Sequence, residues 1–376
     1  MQERPYQVCT KTIMDTTDPE ITFDENGECH YVEKYNQATK DELNNKEIRK
    51  QQLFAQLEKI KLDGKGKEYD CILGLSGGVD SSYLAYIIKK EFGLNPLAIH
   101  VDAGWNSELA VKNVEQIVRK LNIDLFTYVV DWAEMKDIQV AFFKAAVANQ
   151  DVPQDHAFFA ALNKEAAKRG IKYIITGSNK STEYILPEAW GYNAMDAQHI
   201  KAIHKIFGNK SLKRFPIVNF LEYYLYYPFV KGIRIIKPLN YIEYNKANAM
   251  KILETELDWR YYGGKHYESR FTKFFQSYYL PTKFGFDKRK AHLSSLIVSG
   301  QLDRETAVKE LEKPLYDNAE LQDDKEYVLK KLGLTNEDWE NIMKLPNKTF
   351  RDYPSNYSKY IFLRKIKDKF FPKFGA

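Results

Sequence analysis

Residues 70–82, DCILGLSGGVDSS, constrain the fold more than any other stretch of this 376-residue chain. Cys71, Ile72, Leu73 and Leu75 make a short apolar run of the kind that is buried in a parallel sheet. Gly77 and Gly78 remove side chains where the backbone must turn and approach something closely. Asp80, Ser81 and Ser82 then put short polar side chains in the first turn of a following helix. Strand, glycine turn and helix start in that order leave backbone N–H groups at a helix end, where the macrodipole favours an anion. No Gly-Lys-Ser/Thr closes the loop, so it is not a Walker loop, and the three spaced glycines of a dinucleotide fingerprint are absent.

Around that unit, apolar runs alternate with amphipathic stretches. The pattern predicts strands over 70–75, 96–101, 125–130 and 173–176, and a last one near 235–239. Between them, helices are expected from Ser81, over the spacing Val111, Val114, Val118, Leu121, and around 137–148 and 155–168. The expected fold is α/β, a doubly wound parallel sheet with ligands at the carboxyl ends of its strands. Ahead of it, the turn Asp24-Glu25-Asn26-Gly27 suits a hairpin, and Thr39 with Glu42 reads as a capping box opening a helix with Leu53, Phe54, Leu57 and Ile60 on one face. Residues 210–236 are aromatic but broken by Glu222 and Pro228, and read as a buried or interfacial helix. Helices over 303–312 and 325–332 follow. The expected organisation is an N-terminal hairpin and helix over 1–66, an α/β domain over 67–245, and a helical region with a basic tail over 246–376.

Bulk properties narrow the function. A net charge of +5 suits a small polyanionic ligand and is far from that of a dedicated nucleic-acid binder, so no nucleic-acid partner is expected. Three cysteines argue against a disulfide framework and for a reducing compartment. The start MQERPYQ lacks an apolar signal core, and no apolar run has membrane-spanning length, so the expected location is the cytoplasm. The tail 359–374 mixes Lys and Arg with Phe and Ile; a solvated helix is expected rather than one lying on a membrane.

Polar residues collect at the strand ends. His100 and Asp102 close the second strand, where a carboxylate either caps the turn or meets a ligand. Gly177 permits close backbone approach after a later strand, with Asn179 and Glu183 beyond it. Asp155 and His156 open a helix, as caps or as substrate contacts. The densest cluster runs from Gly263-Gly264 through Lys265, His266, Glu268, Ser269 and Arg270, and Lys288, Arg289 and His292 follow at helical spacing. Such basic groups can hold a phosphate or carboxylate and stabilise developing charge.

The pattern Ser76-Gly77-Gly78-Val79-Asp80-Ser81 resembles the PP-loop of the N-type ATP pyrophosphatases, which cleave ATP between the α- and β-phosphates and adenylate an oxygen. That resemblance implies ATP and Mg²⁺. The phosphates would lie on Ser76, Gly77, Gly78, Asp80, Ser81 and Ser82, with Asp80 facing the metal. Adenosine would lie near His100 and Asp102, and Gly177 and Asn179 would help hold the nucleotide. Further stretches narrow the likeness: MDTTDP at 14–19, ITFD at 21–24, HVDAGWNSELA at 100–110, YGGKHYES at 262–269 and DKRKAHLS at 287–294. Together they resemble the N-acetyl sugar amidotransferases. This family implies conversion of an acetamido group on a nucleotide-linked sugar to an acetamidino group through an O-adenylyl imidate, for bacterial surface polysaccharide, O-antigen or flagellar glycans. Ammonia would come from a partner glutaminase through a cyclase-like channel subunit. Asp80, Lys265, His266, Arg289 and His292 are then the catalytic candidates, and Asp155, His156, Glu183, Glu268, Ser269 and Arg270 the substrate contacts. The family often carries two Cys-x-x-Cys pairs, whereas here Cys9 is followed by Thr12 and Cys29 by Val32, so no structural zinc is expected. A tRNA-modifying PP-loop enzyme of thiolation or lysidine type is the alternative, and would need a basic RNA face or a persulfide-carrying cysteine.

Overall fold

A five-stranded parallel sheet forms the centre of the computed structural model, which describes residues 4–264 and 267–370. Its strands are β1 (Cys71–Gly74), β2 (Pro96–Asp102), β3 (Asp124–Val129), β4 (Tyr173–Ile175) and β5 (Arg234–Ile236), in spatial order β3-β2-β1-β4-β5. Leu73 pairs with Ala98 on one side and Ile175 on the other. Side chains alternate along a strand, so Ile72, Leu97, Ile99 and Ile174 enter one apolar layer while Cys71, Leu73, Ala98 and Ile175 enter the other. Helices Trp132–Lys144, Val152–Arg169 and Ala197–Phe207 cover the first layer. Helices Lys46–Gly64, Val79–Tyr86, Glu108–Leu121 and Lys246–Leu257 cover the second. The doubly wound arrangement follows from that two-sided burial.

Strand order locates the site. The chain adds β2 and β3 on one flank of β1, then returns to lay β4 and β5 on the other. Loops after β1 and β4 therefore diverge, and a crevice opens at their carboxyl ends. Gly177, after β4, shows how near the two loops come: a Cβ there would sit 2.9 Å from the Ser81 nitrogen.

One expectation is corrected, and a second, the aromatic helix, is met as a helix but not as a buried one. The first N-terminal helix starts at His30 (His30–Asn44), not at Thr39, whose hydroxyl donates to the Tyr35 carbonyl inside the helix and so caps nothing. The aromatic stretch is a π-helix, Glu222–Val230, with Pro228 inside it. Tyr227 is its buried residue, whereas Leu221, Leu225, Phe229 and Val230 lie exposed. The expected turn at 24–27 is present, with Gly27 at φ +74° and an antiparallel bridge from Phe23 to Cys29. Beyond the sheet, Trp105, Phe143, Phe271, Phe275, Tyr279 and Trp339 build a separate aromatic core under the C-terminal helices. Among the described residues no helix is long and apolar enough to cross a membrane.

Candidate active site

The loop after β1 is held from behind by residues far along the chain. Gly77 has φ +85°, and a Cβ there would meet the Ala110 carbonyl oxygen at 2.8 Å, so only glycine fits. Its own carbonyl accepts from Trp259 Nε1 at 2.9 Å, and the Val79 N–H donates to the Tyr262 hydroxyl at 3.2 Å. The Tyr244 hydroxyl donates to Asp80 Oδ1. Burial and the neighbouring Asp80 charge push the Tyr244 phenol far above its ordinary value, so it stays a donor. Within the loop, the Ser76 N–H donates to Ser81 Oγ at 3.2 Å, and the Gly78 N–H to Ser76 Oγ at 3.3 Å.

A cavity of about 510 Å³ opens at this loop. Of the residues singled out from sequence, Ser76, Gly78, Asp80, Ser81, His100, Asp155, Gly177, Glu183, Glu268, Ser269 and His292 line it. His100 Nδ1 faces the Leu75 carbonyl at 2.9 Å, an acceptor only, so Nε2 takes the Asn106 amide N–H, also at 2.9 Å. Sequence reasoning gave no role to several wall residues: Lys246, Tyr262, Thr176, and a polar group of Asn149, Asp151, Gln154, Thr272 and Gln276. Lys288, noted only within the basic cluster, lines it as well. The Trp-Arg-Tyr-Tyr run ahead of Gly263 was the available signal for the loop's braces; the Gln and Asn residues carry no motif.

Other candidates stand elsewhere. Asp102 caps its turn, accepting from the Gly104 N–H at 2.7 Å and Asn106 Nδ2 at 3.2 Å, and is not on the cavity wall. Asn179 is the N-cap of Lys180–Glu183, accepting from the Thr182 N–H at 2.9 Å, and does not line the cavity. His156 is fully buried away from it, with Nδ1 at the Ala194 carbonyl and Nε2 accepting from the Val218 N–H; burial lowers its pKa to about 4. That makes it a neutral tether, not a substrate contact. Arg289 is spent on Asp287 and on the Leu311 and Lys313 carbonyls, where it closes a helix end instead of meeting substrate. Arg270 pairs with Asp323 and Asp324 and stacks on Tyr327. Gly77 and Ser82 shape the loop from behind; Ser82 is fully buried. Lys265 and His266 lie outside the described residues. In the N-terminal segment, Cys9 Sγ accepts from the backbone N–H of Thr12 and Cys29, at 3.3 and 3.2 Å.

A family model described as NAD synthase matches residues 60–217, and one described as LPS biosynthesis protein WbpG-like, C-terminal domain, matches residues 268–367. Together the two matches support an N-acetyl sugar amidotransferase-like member of the PP-loop family. That family is one of ATP-using enzymes of ligase type. Among curated relatives, this PP-loop protein is 25% identical over 258 residues to an uncharacterized protein of Methanocaldococcus jannaschii, covering 67% of this chain and 76% of that protein. It is 36% identical over 113 residues to the glutamine-hydrolyzing GMP synthase of Thermosipho africanus, covering 28% of this chain and only 21% of that protein. Among solved structures, the NH3-dependent NAD synthetase of Campylobacter jejuni superposes loosely, with a TM-score of 0.31 and 16% identity over 70% of this chain and 97% of that one. Both matched segments wall one cavity: Ser76, Gly78, Val79, Asp80 and Ser81 come from the first, and Glu268, Thr272, Gln276, Lys288 and His292 from the second.

Proposed function

We propose that this enzyme replaces the oxygen of a sugar acetamido group by NH at the expense of ATP. The observation that carries the reading is the shared cavity, in which a PP-loop faces a wall built by the WbpG-like segment. ATP would lay its phosphates on the loop, where phosphate oxygens take over the Ser76 and Gly78 N–H groups from the serine hydroxyls that now accept them. Lys246 and Lys288 on the wall balance the anionic charge. Mg²⁺ arrives with ATP, and Asp80 fits it as a single carboxylate beside phosphate ligands. The amide oxygen attacks the α-phosphorus, pyrophosphate leaves, and an O-adenylyl imidate remains. Ammonia adds to the imidate carbon, a proton passes to a wall base such as His292 or Glu268, and AMP leaves the amidine. Water at this stage would return the amide, so the cavity must exclude it and admit ammonia. An ammonia-supplying glutaminase and a channel subunit are the partners this chemistry calls for, and a bacterial surface glycan is the expected destination.

The test supplies ATP, Mg²⁺, a nucleotide-linked diacetamido sugar and ammonium to the purified chain. AMP, pyrophosphate and a product with NH in place of O are expected in equal amounts. ADP with free phosphate, or AMP release indifferent to the sugar, would overturn the reading.

A further inference from the structure

Beyond the phosphate loop, the cavity wall carries a set of buried amides that nothing so far has used. Asp151 precedes helix Val152–Arg169, and its carboxylate accepts from Thr272 Oγ1 at 3.1 Å and Gln276 Nε2 at 3.2 Å. Gln154 Nε2 donates to Thr272 Oγ1 at 3.3 Å. Asp151, Gln154, Thr272 and Gln276 are 6%, 5%, 5% and 8% exposed, so the network is buried, and all four still line the cavity. Each glutamine is anchored through its NH₂ end, which fixes which way its oxygen points. Among the described residues, neither Gln154 Oε1 nor Gln276 Oε1 has a hydrogen-bond partner. Neither oxygen is sealed inside the protein, so both are turned toward the cavity. Asn149 spends its oxygen on the Asp151 N–H at 3.1 Å, which leaves its NH₂ toward the same space. One helical turn beyond Gln154, the half-buried ring of Phe158 completes the wall.

We infer that this part of the cavity is the sugar subsite, where Gln154 and Gln276 accept from hydroxyl or amide N–H groups and Asn149 donates to an oxygen. The inference rests on the amidation reading above and adds which residues choose the substrate. A phosphate is the wrong ligand here, because fixed amide oxygens backed by the Asp151 carboxylate repel anionic oxygens. A purely apolar ligand would shut water out and leave three polar groups unpaired in a buried wall. A pyranose answers both demands: its substituents alternate donor and acceptor around the ring edge, and its C–H face suits the Phe158 ring. The nucleotide half of the cavity differs in kind, being lined by backbone N–H groups, serines and Lys246.

The experiment measures AMP release by the wild type, Gln154→Met and Gln276→Met, varying the nucleotide-linked acetamido sugar at saturating ATP and then ATP at saturating sugar. Loss of one such hydrogen bond should raise the KM for sugar by about tenfold and leave the KM for ATP unchanged. A rise in the ATP KM with the sugar KM unmoved would assign these amides to the nucleotide and overturn the proposal, as would no change in either. A second measurement keeps the subsite separable from the reaction: saturation-transfer NMR of wild-type protein with N-acetylglucosamine as the probe. Transfer that is abolished by Gln154→Met, in a protein that gives no AMP with any sugar, would uphold the subsite and defeat the amidation reading. No transfer to the probe together with unchanged kinetics in the variants would defeat the subsite alone. If a variant fails to fold, competition of the probe against sugar but not against ATP in the wild type decides the same question, and competition against ATP overturns it.

Discussion

Asp80 stands in the first turn of helix Val79–Tyr86, on the cavity wall, and its carboxylate accepts a hydrogen bond from the hydroxyl of Tyr244, in the segment after β5. The tyrosine fixes the carboxylate's orientation, and Glu183 across the cavity adds negative charge that keeps the phenol protonated. Asp80→Ala should therefore abolish AMP formation with circular dichroism and melting close to wild type. Tyr244→Phe keeps the charge and loses only its orientation, so kcat should fall by about tenfold, the equivalent of one hydrogen bond. An Asp80→Ala enzyme that still forms AMP would remove this residue from the site. Residue chemistry alone did not foresee where Arg289, expected as a catalytic group, and His156, expected as a substrate contact, would stand. What decides their roles is the set of partners each meets, carbonyls at a helix end for Arg289 and two backbone groups for His156, and partners separated by dozens of residues leave no trace in local spacing.

Helix Trp132–Lys144 carries two buried carboxylates that hold the loop over residues 208–215 against the sheet layer. Glu134 accepts from the backbone N–H groups of Lys213, Arg214 and Phe215, and Asp137 from those of Asn209 and Lys210 and from His204 Nε2. Burial pushes both acids upward, but these donors outweigh it, and both titrate below their ordinary values of 4.5 and 3.8. A carboxylate whose folded value is depressed stabilises the fold above its unfolded value, and that stability is lost as pH falls through the folded one. The melting temperature should hold down to about pH 4.5 and then drop on acidification. Glu134→Gln should cost about 1–3 kcal/mol at neutral pH, because its NH₂ faces donors, and should flatten the acid limb. An unchanged acid limb in thermal melts of that variant would show the loop is held otherwise. Strands β1, β2 and β4 were legible as short, mostly apolar runs buried in the sheet, whereas β3, at the sheet edge, is largely exposed and showed itself by alternating residue type. The start at His30 was not, since Cys29 gives the helix no side-chain cap and the Thr39 signal imitates one.

Contacts spanning nearly the whole chain join the N-terminal segment to the helices that wall the cavity. Lys290 pairs with the buried Asp15, the Ile13 N–H donates to Ser294 Oγ at 3.2 Å, and Arg304 Nε donates to the Thr12 carbonyl at 3.0 Å. The MDTTDP and DKRKAHLS stretches, recognisable only as matched strings, are thus two halves of one contact. Pattern reasoning reads periodicity within a stretch, so it had no access to that pairing. Lys290 also sits on helix Lys288–Val298, two residues from both Lys288 and His292, which are on the cavity wall. Asp15 is 1% exposed and also takes the Tyr6 hydroxyl, so removing it strands the ammonium of Lys290 in a largely buried setting. Asp15→Ala should cost about 3–5 kcal/mol in urea unfolding, most of it the unpaired charge. Removing both partners takes that charge away, so the double variant Asp15→Ala with Lys290→Met should recover about 1–3 kcal/mol of the loss. The same series reports on function, because a helix freed at Lys290 displaces Lys288 and His292: Asp15→Ala should raise the KM for substrate, and the double variant should bring it part of the way back. Additive losses with no recovery in the double variant would mean that the two ends of the chain only touch, and that the cavity wall is set without the N-terminal segment.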